Sequence, residues 1–226
     1  MQTRDVLRTE LKGGGFLALP DGSGPHPGVV VIHEAYGLND GIKDIARRLA
    51  GEGFAALAVD LFTDRNRAVC MTRYMAGTLL GSVNRYGIFD LKTSLTYLAK
   101  LTEVDPKRMG AIGFCMGGGF AVAWACTDSR LKVIAPFYAT NPRPLEVMKR
   151  ICPVVGSYPG KDFTASAGRA LERTLDQNGI AHDVKVYPDA RHSFFNEHGR
   201  AYDREAAEDA WSRVISFFGE QLASRS

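Results

Sequence analysis

The 226-residue sequence contains no uninterrupted apolar run of about 18 residues, so no membrane-spanning helix is expected. Its first residues, Met1-Gln2-Thr3-Arg4-Asp5, are polar and lack the apolar segment of a secretory signal, so none is expected there. An excess of one charge is also missing. The 28 Lys+Arg against 25 Asp+Glu leave +3, too little and too dispersed to call for a nucleic-acid or membrane partner. Cysteine is scarce. Cys70, Cys115, Cys126 and Cys152 are widely spaced, with no CxxC and no Cys/His spacing of a zinc site. A chain that is 45% hydrophobic needs no disulfide scaffold. The expectation is a reduced, cytoplasmic protein with no metal. Repeats, low-complexity tracts and long linkers are absent, and the length suits one domain over residues 1–226.

What is present is an alternation of short β-branched runs with helical patterns. It predicts an α/β fold, a mostly parallel central sheet with helices on both faces. Gly28–His33, Phe54–Val59, Arg108–Phe114, Lys132–Phe137, Pro153–Tyr158 and His182–Tyr187 read as strands. Helices are expected over Asn39–Glu52, along the stripe Ile88, Leu91, Leu95, Leu98 and Leu101, over Cys115–Cys126, and around Leu171 and Leu175. A closing helix would bury Trp211, Val214, Ile215, Phe218 and Leu222. Asp5–Leu11 and Phe16–Leu19 suit an antiparallel hairpin at the sheet edge. Arg65–Ser82 has weak periodicity and reads as a helical excursion or a lid.

The sharpest motif is Gly113-Phe114-Cys115-Met116-Gly117, continued by Gly118 and Gly119. It has the form of a nucleophile elbow with Cys in place of Ser, between a predicted strand and a predicted helix. A tight strand-to-helix turn raises the side chain above the sheet. Neighbours without Cβ atoms let strand and helix pass closely. The helix N-terminus favours negative charge, and with it a thiolate.

A nucleophile needs a base, and the base needs a residue to orient it. Asp162 follows one predicted strand and His192 follows the next, in the chain order that such hydrolases use. Asp162 would orient His192, and His192 would take the thiol proton. Asp189 is the substitute acid. His26, His182 and His198 compete less well for the role of base. Ile32-His33-Glu34-Ala35-Tyr36-Gly37 ends the first buried strand, where a second oxyanion donor belongs. The amides of Ala35 and Met116 are assigned to that role. Glu34 is costly at a buried strand end unless it is functional or paired with an Arg or with His33.

These residues resemble the dienelactone hydrolase family, carboxymethylenebutenolidase-like enzymes of the α/β-hydrolase fold. The resemblance spans Val30 to Phe218 and rests on His33–Gly37, Asp60-Leu61-Phe62, Gly113–Gly118, Gly160-Lys161-Asp162 and His192-Ser193-Phe194. It implies a Cys115–Asp162–His192 triad with Glu34 beside the thiol. It also implies a resting thiol turned toward the glutamate, which substrate binding frees to pair with His192. Asn196 stands where the lactone-cleaving members carry an arginine that grips the substrate carboxylate. The segment holding a second such arginine is shortened, leaving Arg65, Arg67 and Arg73 for that place. Both departures bear on the substrate's charge and leave the chemistry intact. Tyr36, Arg73 and Asn196 are the expected substrate contacts.

The expected function is therefore cofactor-independent hydrolysis of a small ester or lactone through an acyl-enzyme. The expected assembly is a monomer or small homo-oligomer. The alternative is a non-hydrolytic binding or redox-sensing protein that uses Cys115 on the same fold.

Overall fold

The structure, a computed structural model, describes residues 1–62, 72, 83 and 87–223. The expected excursion or lid over 65–82, with Cys70, Arg65, Arg67 and Arg73, lies almost entirely outside these residues.

Strands β1 (Gln2–Val6), β2 (Gly15–Leu19), β3 (His26–Ile32), β4 (Ala55–Val59), β5 (Val104–Phe114), β6 (Leu131–Phe137), β7 (Val154–Pro159) and β8 (His182–Tyr187) form one sheet. Its order is β1-β2-β4-β3-β5-β6-β7-β8. β1 and β2 run antiparallel at one edge, and β3 through β8 are parallel. The predicted edge hairpin forms, but its first strand is Gln2–Val6 rather than Asp5–Leu11. The cause is local: the Glu10 carboxylate accepts from the Leu7 amide at 3.1 Å and folds Leu7–Gly14 into turns.

The helices are α1 (Asp40–Gly51), α2 (Ile88–Leu98), α3 (Met116–Ala125), α4 (Ala165–Gln177) and α5 (Arg204–Gln221). A 3₁₀ turn over Leu145–Arg150, which the sequence pattern did not announce, precedes β7. Asn39 starts α1 by accepting from the Ile42 amide at 3.1 Å, and Asp203 starts α5 by accepting from Ala206 at 3.1 Å. Alternation along β3 sorts the core into two layers. Val30 and Ile32 face α2, α3 and α4, with Leu91, Leu95, Phe120, Trp124 and Leu171. Val29 and Val31 face α1 and α5, with Ile42, Leu49, Val214 and Phe218. Each such side chain contributes roughly 1.5–3 kcal/mol on burial. Trp211 and Ile215, expected on the apolar face of the closing helix, are only partly buried. β8 is the far edge strand. Arg213 on α5 anchors it, donating to the Asp183 carboxylate at 2.8 Å and to the Asp183 carbonyl at 2.7 Å. Parallel β3, β5, β6, β7 and β8 all end on one edge of the sheet, and the site is built there.

Candidate active site

Cys115 follows β5 and begins α3, at φ 54° and ψ −114°. Only close backbone approach makes the turn possible. A methyl group on Gly117 would lie 2.4 Å from the Ile32 carbonyl oxygen and 2.7 Å from that of His33. One on Gly113 would lie 2.2 Å from the Gly117 carbonyl oxygen. The motif glycines are thus a packing requirement of the elbow.

The sulfur of Cys115 lies 3.1 Å from Nε2 of His192. Nδ1 of His192 donates to Oδ2 of Asp162 at 2.7 Å. Asp162 is held in turn by the Phe163 amide on Oδ1 at 2.7 Å and by the Thr164 hydroxyl on Oδ2 at 2.6 Å. Its turn-forming and histidine-orienting contacts therefore coexist. Burial opposes ionisation of Asp162, but the Thr164 and His192 hydrogen bonds outweigh it and hold its pKa below the usual value. The bond to Cys115 is the largest cause that raises His192 to about 9; burial opposes the shift and Asp162 supports it. Such a histidine favours its imidazolium form beside the sulfur. The resemblance implies a resting thiol turned toward Glu34. Here the sulfur faces His192.

Glu34 lies just beyond β3 and is 6% exposed. The hydroxyls of Tyr138 and Ser193 both donate to its Oε1, at 2.9 and 3.1 Å. Among the described residues no Arg bonds its carboxylate, and the Nδ1 bond of His33 goes to the Glu34 carbonyl rather than to its side chain. His33 is fully buried: Nδ1–H donates to the Glu34 carbonyl at 2.6 Å, and Nε2 accepts from the Leu61 amide at 3.1 Å. That arrangement fixes a neutral tautomer and makes His33 a brace for the strand end. Burial, and then the Glu34 charge, push the Tyr138 phenol well above its ordinary range.

Sequence reasoning missed Tyr138 and Ser193. Both carried a positional signal: one follows β6 directly and the other follows His192. Cys115, Tyr138 and Ser193, at φ 54°, 39° and 63°, are the non-glycine residues of positive φ among those described. All belong to this cluster, the pattern expected where surrounding structure holds strained backbone in place.

The other expected residues fall as follows. Met116 opens α3, so its amide has no intrahelical acceptor. Ala35 and Tyr36 form the turn after Glu34, and Tyr36 is 64% exposed. Asn196 lines a half-open pocket that Glu34 also lines but Cys115 and His192 do not. Arg73 lies outside the described residues. Asp189 is exposed and pairs with Lys161 at 2.7 Å, so it does not reach His192 as a substitute acid. Phe163 is exposed and stacks on the His192 ring, 5.9 Å between centroids and 12° between planes. Cys126 and Cys152 pack against the core, and burial pushes the Cys152 thiol up to about 12. Among the described residues no cluster of His, Cys, Asp and Glu is arranged to hold a metal ion, and no helix is long and apolar enough to cross a membrane.

Comparison with known proteins gives the same picture at full length. The dienelactone hydrolase family profile matches residues 14–222. A protein of Saccharolobus solfataricus, provisionally named a carboxymethylenebutenolidase, is 36% identical over 89% of this chain and 91% of its own length. The crystal structure of a dienelactone hydrolase-like promiscuous phosphotriesterase from metagenomic libraries has a TM-score of 0.83 at 27% identity, covering 98% of this chain and 99% of the other. A Klebsiella pneumoniae protein provisionally titled a dienelactone hydrolase shares the fold, with a TM-score of 0.83 at 24% identity over 97% of this chain and 98% of its own. A redox-sensing or binding protein without hydrolase chemistry is not what this kinship supports. The chain belongs to the dienelactone hydrolase family and is a hydrolase on the α/β-hydrolase fold.

Proposed function

We propose that this chain hydrolyses a small carboxylic ester or lactone through Cys115, His192 and Asp162. The observation that carries this reading is the single imidazole that bridges sulfur and carboxylate, at 3.1 and 2.7 Å, on an elbow that only glycines permit. The thiolate attacks the carbonyl carbon and forms a C–S bond. The amides of Met116 and Ala35 receive the oxyanion. As the C–O bond breaks, His192 gives its Nε2 proton to the leaving alkoxide. Water then attacks the thioester, His192 takes the water's proton, and the C–S bond breaks to return the thiolate and a carboxylic acid. Asp162 holds the imidazole in the tautomer and orientation that both halves need. The cycle draws only on water and on groups of the chain, and the thiol it depends on needs a reducing compartment such as the cytoplasm.

The aromatic rim supports a substrate with an apolar portion. Phe163 over His192 and the exposed Tyr36 beside Glu34 offer ring faces for it, and Asn196 offers no charge for a carboxylate. The test is Cys115→Ala against a panel of small aryl esters, lactones and one phosphotriester. Turnover of the preferred ester or lactone should fall by about 10³-fold or more. In the wild type, intact-mass measurement on rapid quenching should show one acyl adduct on Cys115. Unchanged turnover in the variant would sink the proposal.

A further inference from the structure

Phe163 is a large apolar side chain that directly follows Asp162, yet it is 72% exposed. Its backbone is held on both sides. The amide donates to Asp162 Oδ1 at 2.7 Å, and the carbonyl accepts from the Ser166 hydroxyl at 3.0 Å. The ring therefore departs from a fixed point. It lies nearly parallel to the His192 imidazole, at 12°, with 5.9 Å between centroids. That separation makes an offset stack, so the phenyl ring extends past the imidazole and keeps most of its surface open. A solitary exposed hydrophobe needs no explanation. One held parallel to the imidazole that bridges Cys115 and Asp162 does.

The chemistry proposed above decides which half of a substrate meets this ring. His192 hands its Nε2 proton to the leaving oxygen, so that oxygen comes within hydrogen-bond reach of Nε2. Nε2 lies 3.1 Å from the sulfur that bonds the carbonyl carbon. The carbonyl oxygen is turned toward the Met116 and Ala35 amides. The alcohol half is thus the part that lies along the imidazole. Tyr138, 2% exposed, packs on that ring with 5.0 Å between centroids and offers no open surface. The His192 side chain still keeps 32% of its surface in solvent, and among the described residues Phe163 is the exposed ring against it.

We propose that Phe163 is the leaving-group platform of the site, and that the substrate is an acyclic ester of a phenol. The ring stacks in offset on the aryl group of the alcohol half. As the acyl C–O bond breaks, the phenoxide takes the Nε2 proton and departs as a neutral phenol. Offset stacking of two aromatic rings is worth a several-fold preference, which a saturated alcohol does not gain. A lactone's leaving oxygen stays tethered to its acyl half and cannot reach along the imidazole independently of it. Phe163 therefore sets specificity on the alcohol side and leaves the acyl side to other residues.

This inference rests on the hydrolytic reading for the side on which the alcohol leaves. Its test compares kcat/KM for phenyl acetate and trifluoroethyl acetate, which differ only in the alcohol. A second pair, trifluoroethyl benzoate and trifluoroethyl acetate, differs only in the acyl group. In Phe163→Leu the ratio of phenyl to trifluoroethyl acetate should fall about five-fold, and in Phe163→Tyr it should stay near the wild-type ratio. The benzoate-to-acetate ratio should hold in both variants. Equal losses on the two acetates would make Phe163 a prop for His192, and a fall in the benzoate ratio would place the acyl half on the ring; either overturns the proposal. Phenol binding gives a readout without turnover. Titrated into the wild type, phenol should shift the His192 ring protons in NMR spectra more than cyclohexanol does, and Phe163→Leu should abolish the difference. Equal shifts from the two alcohols overturn the proposal even if no ester is turned over. Ester turnover that survives Cys115→Ala sinks the hydrolytic reading instead.

Discussion

Removing the Cys115 thiol should be visible as a titration of its neighbour. His192 is raised from 6.5 to about 9, with the hydrogen bond to Cys115 the largest cause, burial opposing, and Asp162 adding support. In Cys115→Ala the first cause is gone, and His192 should titrate most of the way back toward 6.5. Asp162→Asn removes the lesser support and should lower it less. The full shift corresponds to roughly 3 kcal/mol at ~1.36 kcal/mol per pH unit. The side chain is 32% exposed, and solvent screening reduces this to about 1–2 kcal/mol. Because the folded pKa lies above the unfolded one, this stabilisation is complete below about pH 6.5 and is lost as pH rises through about 9. The assay is NMR titration of the His192 ring protons in both proteins, paired with urea denaturation from about pH 6 to about pH 10. Stability of wild type relative to Cys115→Ala should decline across that window by about 1–2 kcal/mol. Titration near 9 in both proteins, or a stability difference that grows with pH, refutes the reasoning.

Three further outcomes follow from contacts already described. Asp162→Asn should leave the fold intact and cut kcat by about 10²–10⁴-fold, because the amide supports the wrong imidazole tautomer; steady-state kinetics on the preferred ester checks it. Gly117→Ala places a methyl 2.4 Å from the Ile32 carbonyl oxygen, so thermal denaturation should show a loss on the order of 3 kcal/mol. Tyr138→Phe leaves Ser193 as the remaining described hydroxyl on Glu34 and should cost about 1–3 kcal/mol in urea denaturation.

The parts of the site that sequence reveals are those carried by local pattern. Cys115 sits in a motif whose glycines are spaced for one backbone geometry, and Asp162 and His192 each follow a strand visible as an apolar run. The Glu34 cluster is different. Tyr138 and Ser193 reach it across 104 and 159 residues of sequence, and a hydroxyl donating to a carboxylate has no period that a chain can display. The sequence offers His33 as a partner for the Glu34 carboxylate, and its burial and backbone bonds show it braced instead. The ends of β1 moved because Glu10 captured a backbone amide, a side-chain choice that hydrophobic alternation does not encode. Element type came from burial pattern, whereas boundaries came from individual polar contacts.

The left-handed backbone at Cys115, Tyr138 and Ser193 gives the site an address that does not depend on its chemistry. Backbone conformation alone, blind to side-chain identity, marks the same spot among the described residues. It also marks where selection for stability and selection for activity part company. Each such residue costs on the order of 1–3 kcal/mol, which a glycine would largely relieve. A library screened for heat resistance alone should therefore drift toward glycine at Ser193, where little packing is lost, and give up one Glu34 hydroxyl, while the buried Tyr138 ring, packed on Phe137 and Phe194, holds its place.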